Sequence, residues 1–329
     1  MSDTDSEDDD LETMVIELGN KTIKAAFHGE KTCRYVSDEC HIFNGELVSS
    51  LSSNKSVPVI DSFAGIINST SALLAIFQNC WKGQYQNKSP SDCNLLLIVP
   101  NQHPSLLNNI ADVVFSQLNV LKLCVISPGE GASLYEDRKD CIVLDIGHFD
   151  SRLEVFENRR LVSKTFVQRG GFHVFLAIAK FLTGEDIPSA TEQEIASVKD
   201  AVISRSQQLS VRNTEVVLPE SLRKSCIDSL FESDSSSASI TSALNEFLSC
   251  YSAITTVIVC GSTSLLLDKE SIAVTCGREI KYLLVPERNK MAFYGGLVAA
   301  RIETSHRFHN RDEWKEHGLL YVPLLNALD

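Results

Sequence analysis

The sequence predicts an α/β protein built as two similar halves. Three observations predict it. Short apolar runs of strand type alternate with stretches of helical periodicity, the pattern of a sheet whose faces are covered. The run Leu95-Leu96-Leu97-Ile98-Val99 is apolar throughout, as a strand buried on both faces requires. A strand-turn-strand unit also occurs twice, about 128 residues apart. Its copies begin Val15-Ile16-Glu17-Leu18-Gly19-Asn20-Lys21 and Ile142-Val143-Leu144-Asp145-Ile146-Gly147-His148. Each is an apolar run, an acidic residue, one apolar residue, a glycine and a polar residue, and each leads into a second strand-like stretch (22–27 and 153–156).

The elements follow in order. Residues 1–13 read as an acidic, solvated tail. Residues 14–18 and 23–27 form the first hairpin, with 33–36 as a candidate third strand. Residues 37–60 are weakly patterned and serine-rich and read as loop. Residues 64–81 place Ile66, Ile67, Leu73, Leu74, Ile76 and Phe77 at helical spacing. A strand over 94–100 precedes a helix over 104–118, a strand over 120–126 and a short helix over 131–136. The second hairpin begins at Cys141. Gly170 and Gly171 open a helix reaching Phe181, and residues 192–207 form another. Residues 211–217 are a candidate strand, and 231–241 a serine-rich flexible loop. Helices are expected over 240–252 and 291–302, and strands over 256–260 and 280–285. The resulting division is a tail (1–13), a first half (14–140), a second half (141–300) and a C-terminal segment (301–329) that packs back on the first half.

The chain of 329 residues is 43% hydrophobic, enough for a sizeable core. Seven of the acids behind its net charge of -13 (Asp3, Asp5, Glu7, Asp8, Asp9, Asp10 and Glu12) lie in the first twelve residues. The body is therefore not a basic nucleic-acid binder, and Ser2 and Ser6 sit in acidic context as candidate phosphorylation sites. None of the ten cysteines forms a CxxC pair, which argues against a zinc site. With no signal peptide and no apolar run long enough to span a membrane, a reducing compartment is expected.

A tight turn after a strand presents backbone N–H groups, and its glycine lets an anion approach closely. The expected phosphate contacts are Gly19 and Asn20 in the first turn, with Lys24 as a point charge, and Gly147 in the second, with Gly170 behind it. Glu17 and Asp145 are placed to order waters around a divalent cation, which prefers oxygen ligands. Gly261, Ser262 and Thr263 follow a third strand and are placed to face a nucleoside. Lys199 and Asp200 read as a solvated helix face, and Gly295 and Gly296 as close helix packing.

The order and wording of these segments resemble the actin family. The first hairpin, the strand and helix at 95–120, Ser133-Leu134-Tyr135, the second hairpin, Gly170 and Gly171, and residues 257–265 all have counterparts there. The C-terminal stretch from Val285-Pro286-Glu287-Arg288 through Phe293-Tyr294-Gly295-Gly296 resembles the family closely. The resemblance implies duplicated actin-like (ribonuclease H-like) domains around a central cleft, with ATP or ADP and Mg2+ as cofactor. The family's hairpins carry small residues where this chain has Asn20, Lys21, His148 and Phe149. The family's water-positioning glutamine falls near Pro128-Gly129-Glu130, where no glutamine is present. Slow or absent hydrolysis is therefore expected.

The intervals from Glu17 to Pro100 (83 positions) and from Asp145 to Gly261 (116 positions) look short for the family, implying reduced outer subdomains near 37–60 and in the second half. The implied role is a structural subunit of a cytoskeletal assembly, dynactin-like and at its pointed end, with other actin-family subunits as partners and a cytoplasmic location. The alternatives are a nuclear actin-related subunit of a chromatin-remodelling complex, and an active ATPase of the heat-shock and sugar-kinase fold.

Overall fold

The computed structural model describes residues 12–49, 56–61, 66–82, 88–100, 102–184, 190–232, 239–272, 278–302 and 307–317. The acidic tail up to residue 11 and the serine run 233–238 lie outside them. The protein is mixed α/β and divides into two compact units, Met1–Asp137 with Ala292–Asp329, and Arg138–Met291.

The first unit is centred on β1 (Thr13–Leu18). It pairs antiparallel with β2 (Ile23–Phe27), which carries β3 (Tyr35–Ser37) at the edge. After β3 come a three-stranded sheet, β4 (Glu39–Phe43), β5 (Glu46–Ser49) and β6 (Val57–Pro58), and a two-stranded ribbon, β7 (Ile60–Asp61) with β8 (Ile66–Ile67). Helix α1 (Thr70–Lys82) leads to β9 (Asn94–Ile98), and α2 (Pro104–Val113) to β10 (Leu123–Ile126) and α3 (Pro128–Tyr135). The main sheet has the order β10-β9-β1-β2-β3, with β9 parallel to both β1 and β10. The continuous apolar run of β9 thus occupies the position its composition demands.

Alternation along β1 explains both layers. Met14, Ile16 and Leu18 enter the core built with α1 and α2, whereas Val15 joins Leu96, Ile98, Cys124 and Ile126 on the opposite face. That second face is covered by the helix over Met291–Ile302, which contributes Phe293 and Leu297. Gly295 in this helix lies so close to the backbone of Gly131 in α3 that no Cβ fits between them, and a Cβ on Gly296 would press on Ile98 and Val15.

In the second unit β11 (Cys141–Ile146) pairs antiparallel with β12 (Ser151–Glu157), which pairs with β13 (Arg160–Val167). Helices α4 (Gly171–Gly184) and α5 (Glu192–Ile203) precede a hairpin of β14 (Gln208–Val211) and β15 (Thr214–Val217). Helices α6 (Glu220–Phe231) and α7 (Ile240–Cys250) then lead to β16 (Thr256–Cys260), and β17 (Lys281–Leu283) completes the sheet. The order is β13-β12-β11-β16-β17, with β11, β16 and β17 parallel. Read from the other edge, this is the strand order and direction pattern of the first unit. The helix over Met291–Ile302 is α8, and α9 (Arg311–His317) follows in the first unit, where Trp314 packs on Phe115.

Residues 37–60 correct the loop expectation, because their described part forms β4, β5, β6 and the start of β7. The turn that makes this possible is Asn44-Gly45, with φ of 52° and 85°, a pairing that matches strand twist in two-residue hairpins. Residues 211–217 are not one strand: Arg212 and Asn213 form a two-residue turn with φ of 50° and 63° between β14 and β15. The expected helix over 192–207 stops at Ile203, and β14 begins at Gln208. Strand β13 and helix α6 were not expected at all. The nine described cysteines are free thiols. Among the described residues no helix is long and apolar enough to cross a membrane.

Two stability outcomes follow. Gly295→Ala is expected to destabilise the first unit by about 3 kcal/mol, because the new methyl meets backbone rather than a movable side chain. Arg159, exposed in the β12–β13 turn at φ 66°, is expected to gain about 0.5–1 kcal/mol on replacement by Gly, which adopts that conformation without strain. Denaturant midpoints at constant slope check both.

Candidate functional site

The first hairpin turn spans residues 19–22 and is closed by the Gly19 N–H donating to the Thr22 carbonyl at 3.1 Å. With four residues in the turn, Glu17 at the end of β1 stands opposite Lys24 on β2. Lys24 Nζ lies 2.7 Å from Glu17 Oε1, and both side chains are largely buried, at 10% and 16% exposure. Glu17 Oε2 is buried and accepts no hydrogen bond.

The Asn20 carbonyl in this turn accepts from two side chains of β4. The Cys40 thiol donates to it at 3.2 Å, and His41 Nε2 lies at 3.1 Å. His41 Nδ1 is 3.1 Å from Ser56 Oγ. Burial lowers the His41 pKa and outweighs the opposing bond to Asn20. A neutral ring fits all contacts, with Nε2–H donating to Asn20 and Nδ1 accepting from the serine hydroxyl. Burial also pushes the Cys40 thiol up to about 12, keeping it a protonated donor. The small sheet containing β4 is thereby tied to the first hairpin.

Glu130, near where the resemblance places a water-positioning glutamine, lies in the first turn of α3. Its N–H is capped by Ser127 Oγ at 3.0 Å, and its carboxylate meets Arg307 at 2.5 Å.

The second unit repeats the hairpin geometry. The Gly147 N–H donates to the Asp150 carbonyl at 3.0 Å, closing a turn over residues 147–150. Asp145, at the end of β11, stands opposite Arg152 on β12. Arg152 Nη1 is 2.9 Å from Asp145 Oδ2, and Nη2 contacts Asp150 Oδ1. Arg152 and Asp150 are almost fully buried, at 5% and 1% side-chain exposure. Burial opposes the charge on Arg152, but Asp150 and Asp145 outweigh it and hold the guanidinium pKa above its ordinary value.

Gly170 and Gly171 sit against this turn. The Gly171 N–H donates to the Gly147 carbonyl at 3.0 Å, and the Phe172 N–H to the His148 carbonyl at 2.7 Å. Thr263 Oγ1 donates to the same Gly147 carbonyl at 2.9 Å. A Cβ on Gly171 would meet Thr263 Oγ1, Lys199 Nζ and His148 Nδ1. Gly261 follows β16 with φ of 90°, and its α-carbon faces Asp145 Oδ1 and the Ile146 carbonyl so closely that only glycine fits. Ser262 is exposed beside them.

Asp145, Gly147, Gly170, Gly261 and Thr263 therefore converge in the second unit, while Glu17, Gly19, Asn20 and Lys24 gather in the first. The solvated-face expectation fits Asp200, which is exposed, but not Lys199, which is buried. Sequence reasoning missed Arg152, whose signal was its position seven residues after Asp145, matching Lys24 after Glu17. It also missed two clamps on the turn after β16. Arg288 donates to the carbonyls of Ser264 (2.9 Å) and Leu267 (2.7 Å). Arg223 donates to those of Val202 (3.3 Å) and Leu266. Burial and the nearby charge of Arg223 lower the Arg288 pKa, with Asp268 acting in the opposite direction.

The residues present do not fit a hydrated divalent cation well. Among the described residues no group of three or more His, Cys, Asp or Glu side chains could hold a metal ion. Glu17 keeps one oxygen without a hydrogen bond, but Asp145 is paired to Arg152. Comparison with protein-family models and with curated proteins returns no match.

The His41 contacts predict a pH dependence. A folded-state pKa below the unfolded value means that the unfolded chain binds the extra proton. The contribution is complete above about pH 6.5 and is lost as pH falls through the lower folded-state value. His41→Gln is expected to flatten the stability slope between pH 7.5 and 5, read from denaturant midpoints.

Proposed function

We propose that the chain is a divergent actin-related protein with a structural rather than catalytic role, a dynactin-like component at the pointed end of a cytoskeletal assembly in the cytoplasm. The observation that carries this reading is the pair of acid-x-glycine hairpins, each at the centre of a five-stranded sheet of the same order, in which the strand-end acid is paired with the chain's own cation. The repeated topology supports the duplicated actin-like architecture. The pairing of Glu17 with Lys24 and of Asp145 with Arg152 supports loss of catalysis, because strand-end acids that order a metal's waters must be available to them.

Other features support the same role. The helix-opening N–H groups of Gly171 and Phe172 already have carbonyl partners, so the turn against α4 is satisfied without a phosphate. Glu130 is joined to Arg307 and does not substitute for a water-positioning glutamine. The short intervals in each half support reduced outer subdomains, which suits a subunit that ends a filament better than one that propagates it. ATP or ADP with Mg2+ is at most a weak ligand in this reading, and the partners are other actin-family subunits and complex-specific proteins.

The test has two arms. Purified protein is expected to release no phosphate from ATP and Mg2+ above background. Protein tagged in its own cells is expected to co-purify with an actin-related filament and its accessory subunits. Phosphate release above background would favour an active ATPase of the same fold. Recovery with nucleosome-remodelling ATPases would move the protein to the nucleus.

A further inference from the structure

We propose that Arg152 is a built-in replacement for a divalent cation, so that the second unit holds its buried carboxylates together without metal. The proposal deepens the structural-subunit reading and rests on it only for the expectation that a metal belongs at this hairpin.

Asp145 and Asp150 approach one guanidinium from different elements, the end of β11 and the close of the turn. Each contacts a separate terminal nitrogen. Glu154 lies two residues beyond Arg152 on the same side of β12, is 4% exposed and is within electrostatic reach of it. Across β13 the Arg152 side chain faces the Phe166 ring at 6.0 Å, and the exposed Lys164 stands opposite Glu154. Two buried carboxylates thus contact one buried guanidinium, and a third buried carboxylate lies within electrostatic reach of it.

Carboxylates removed from water need a positive partner, since leaving them without one costs several kilocalories per mole. Oxygen-only sets of this kind are met in proteins by Ca2+, Mg2+ or Mn2+, or by an arginine whose fork spans two carboxylates. Arginine stays protonated at any physiological pH and its concentration cannot fall, so the site is filled whenever the chain is folded. The same solution stands at the same register in the first unit, where Lys24 faces Glu17. Two independent hairpins carrying a cation seven residues after the acid argue against a chance pairing.

The test melts the full-length chain without nucleotide in EDTA and in millimolar Mg2+, Mn2+ or Ca2+. The wild type is expected to melt within about 1 °C in all four, less than a ligand bound at saturating concentration produces. Arg152→Ala is expected to melt lower in EDTA and to regain several degrees in at least one of the cations. Adding Asp150→Ala to that variant removes one ligand and is expected to abolish the gain. Arg152→Lys, which keeps the charge, is expected to fold and to remain indifferent to EDTA. A wild-type chain that loses stability in EDTA and recovers it with a cation overturns the proposal. So does an Arg152→Ala chain that gains nothing from any of the three ions, whether it folds or is only recovered by refolding in their presence. Neither readout depends on phosphate release or co-purification, so failure here and failure of the functional reading are separable.

Discussion

A carboxylate at the end of each central strand is held by a cation directly across the hairpin. The spacing is a consequence of the turn. A strand-end acid, one apolar residue, a four-residue turn and one further strand residue (Ile23 or Ser151) place position n opposite n+7. Such a pair is not a free gain in stability, because taking both charges out of water offsets most of their attraction. Its effect is on specificity. Sliding either hairpin by one residue would turn Lys24 or Arg152 to the opposite face of the sheet and leave a buried acid without its partner, an error of about 3–5 kcal/mol. The pairs therefore fix the register of β1 with β2 and of β11 with β12.

The strands nearest those pairs were the most legible in the sequence. β1, β9, β11 and β16 are apolar runs bounded by glycine or proline, and burial on both faces leaves no other composition available to them. What escaped was marked by subtler chemistry. The strands at 39–49 are short and half-buried, so their alternation is weak, yet Asn44-Gly45 is a hairpin signal that outweighs it. The turns at Asn158-Arg159 and Arg212-Asn213 use left-handed residues other than glycine, and so hid β13, β14 and β15. Helix α6 was obscured because Arg223 is among its buried residues, breaking the apolar stripe that periodicity looks for.

The same contrast runs through the site. Acids and glycines were readable because strand ends and turns constrain them locally. The hairpin cations carried only a spacing of seven residues from the acid, and the partners of the other buried cations are set by tertiary structure. Lys24, expected from the sequence as a phosphate contact, stands 2.7 Å from Glu17. Arg288 and Arg223 act on carbonyls 24 and 43 residues away, a role with no sequence signature. Lys199 sits on a helix whose charge pattern reads as solvated, but tertiary packing buries it beside Gly171.

These contacts also bear on what an anion would have to displace in the second unit. The first three N–H groups of α4 donate to the carbonyls of Gly147, His148 and Gly170, at 3.0, 2.7 and 3.0 Å. Helix-opening N–H groups are ordinarily the donors that a phosphate takes. Here the Gly147 carbonyl accepts from both Gly171 and Thr263, tying the hairpin turn, the start of α4 and the segment after β16 at one oxygen. A phosphate entering this turn would have to break those bonds before forming its own. Only an anion whose new contacts exceed the cost of leaving buried carbonyls unsatisfied, about 1–3 kcal/mol each, would be retained. A turn closed in this way is stable when empty of ligand. The proposed structural role would draw on that property, since a subunit of an assembly needs a constant shape.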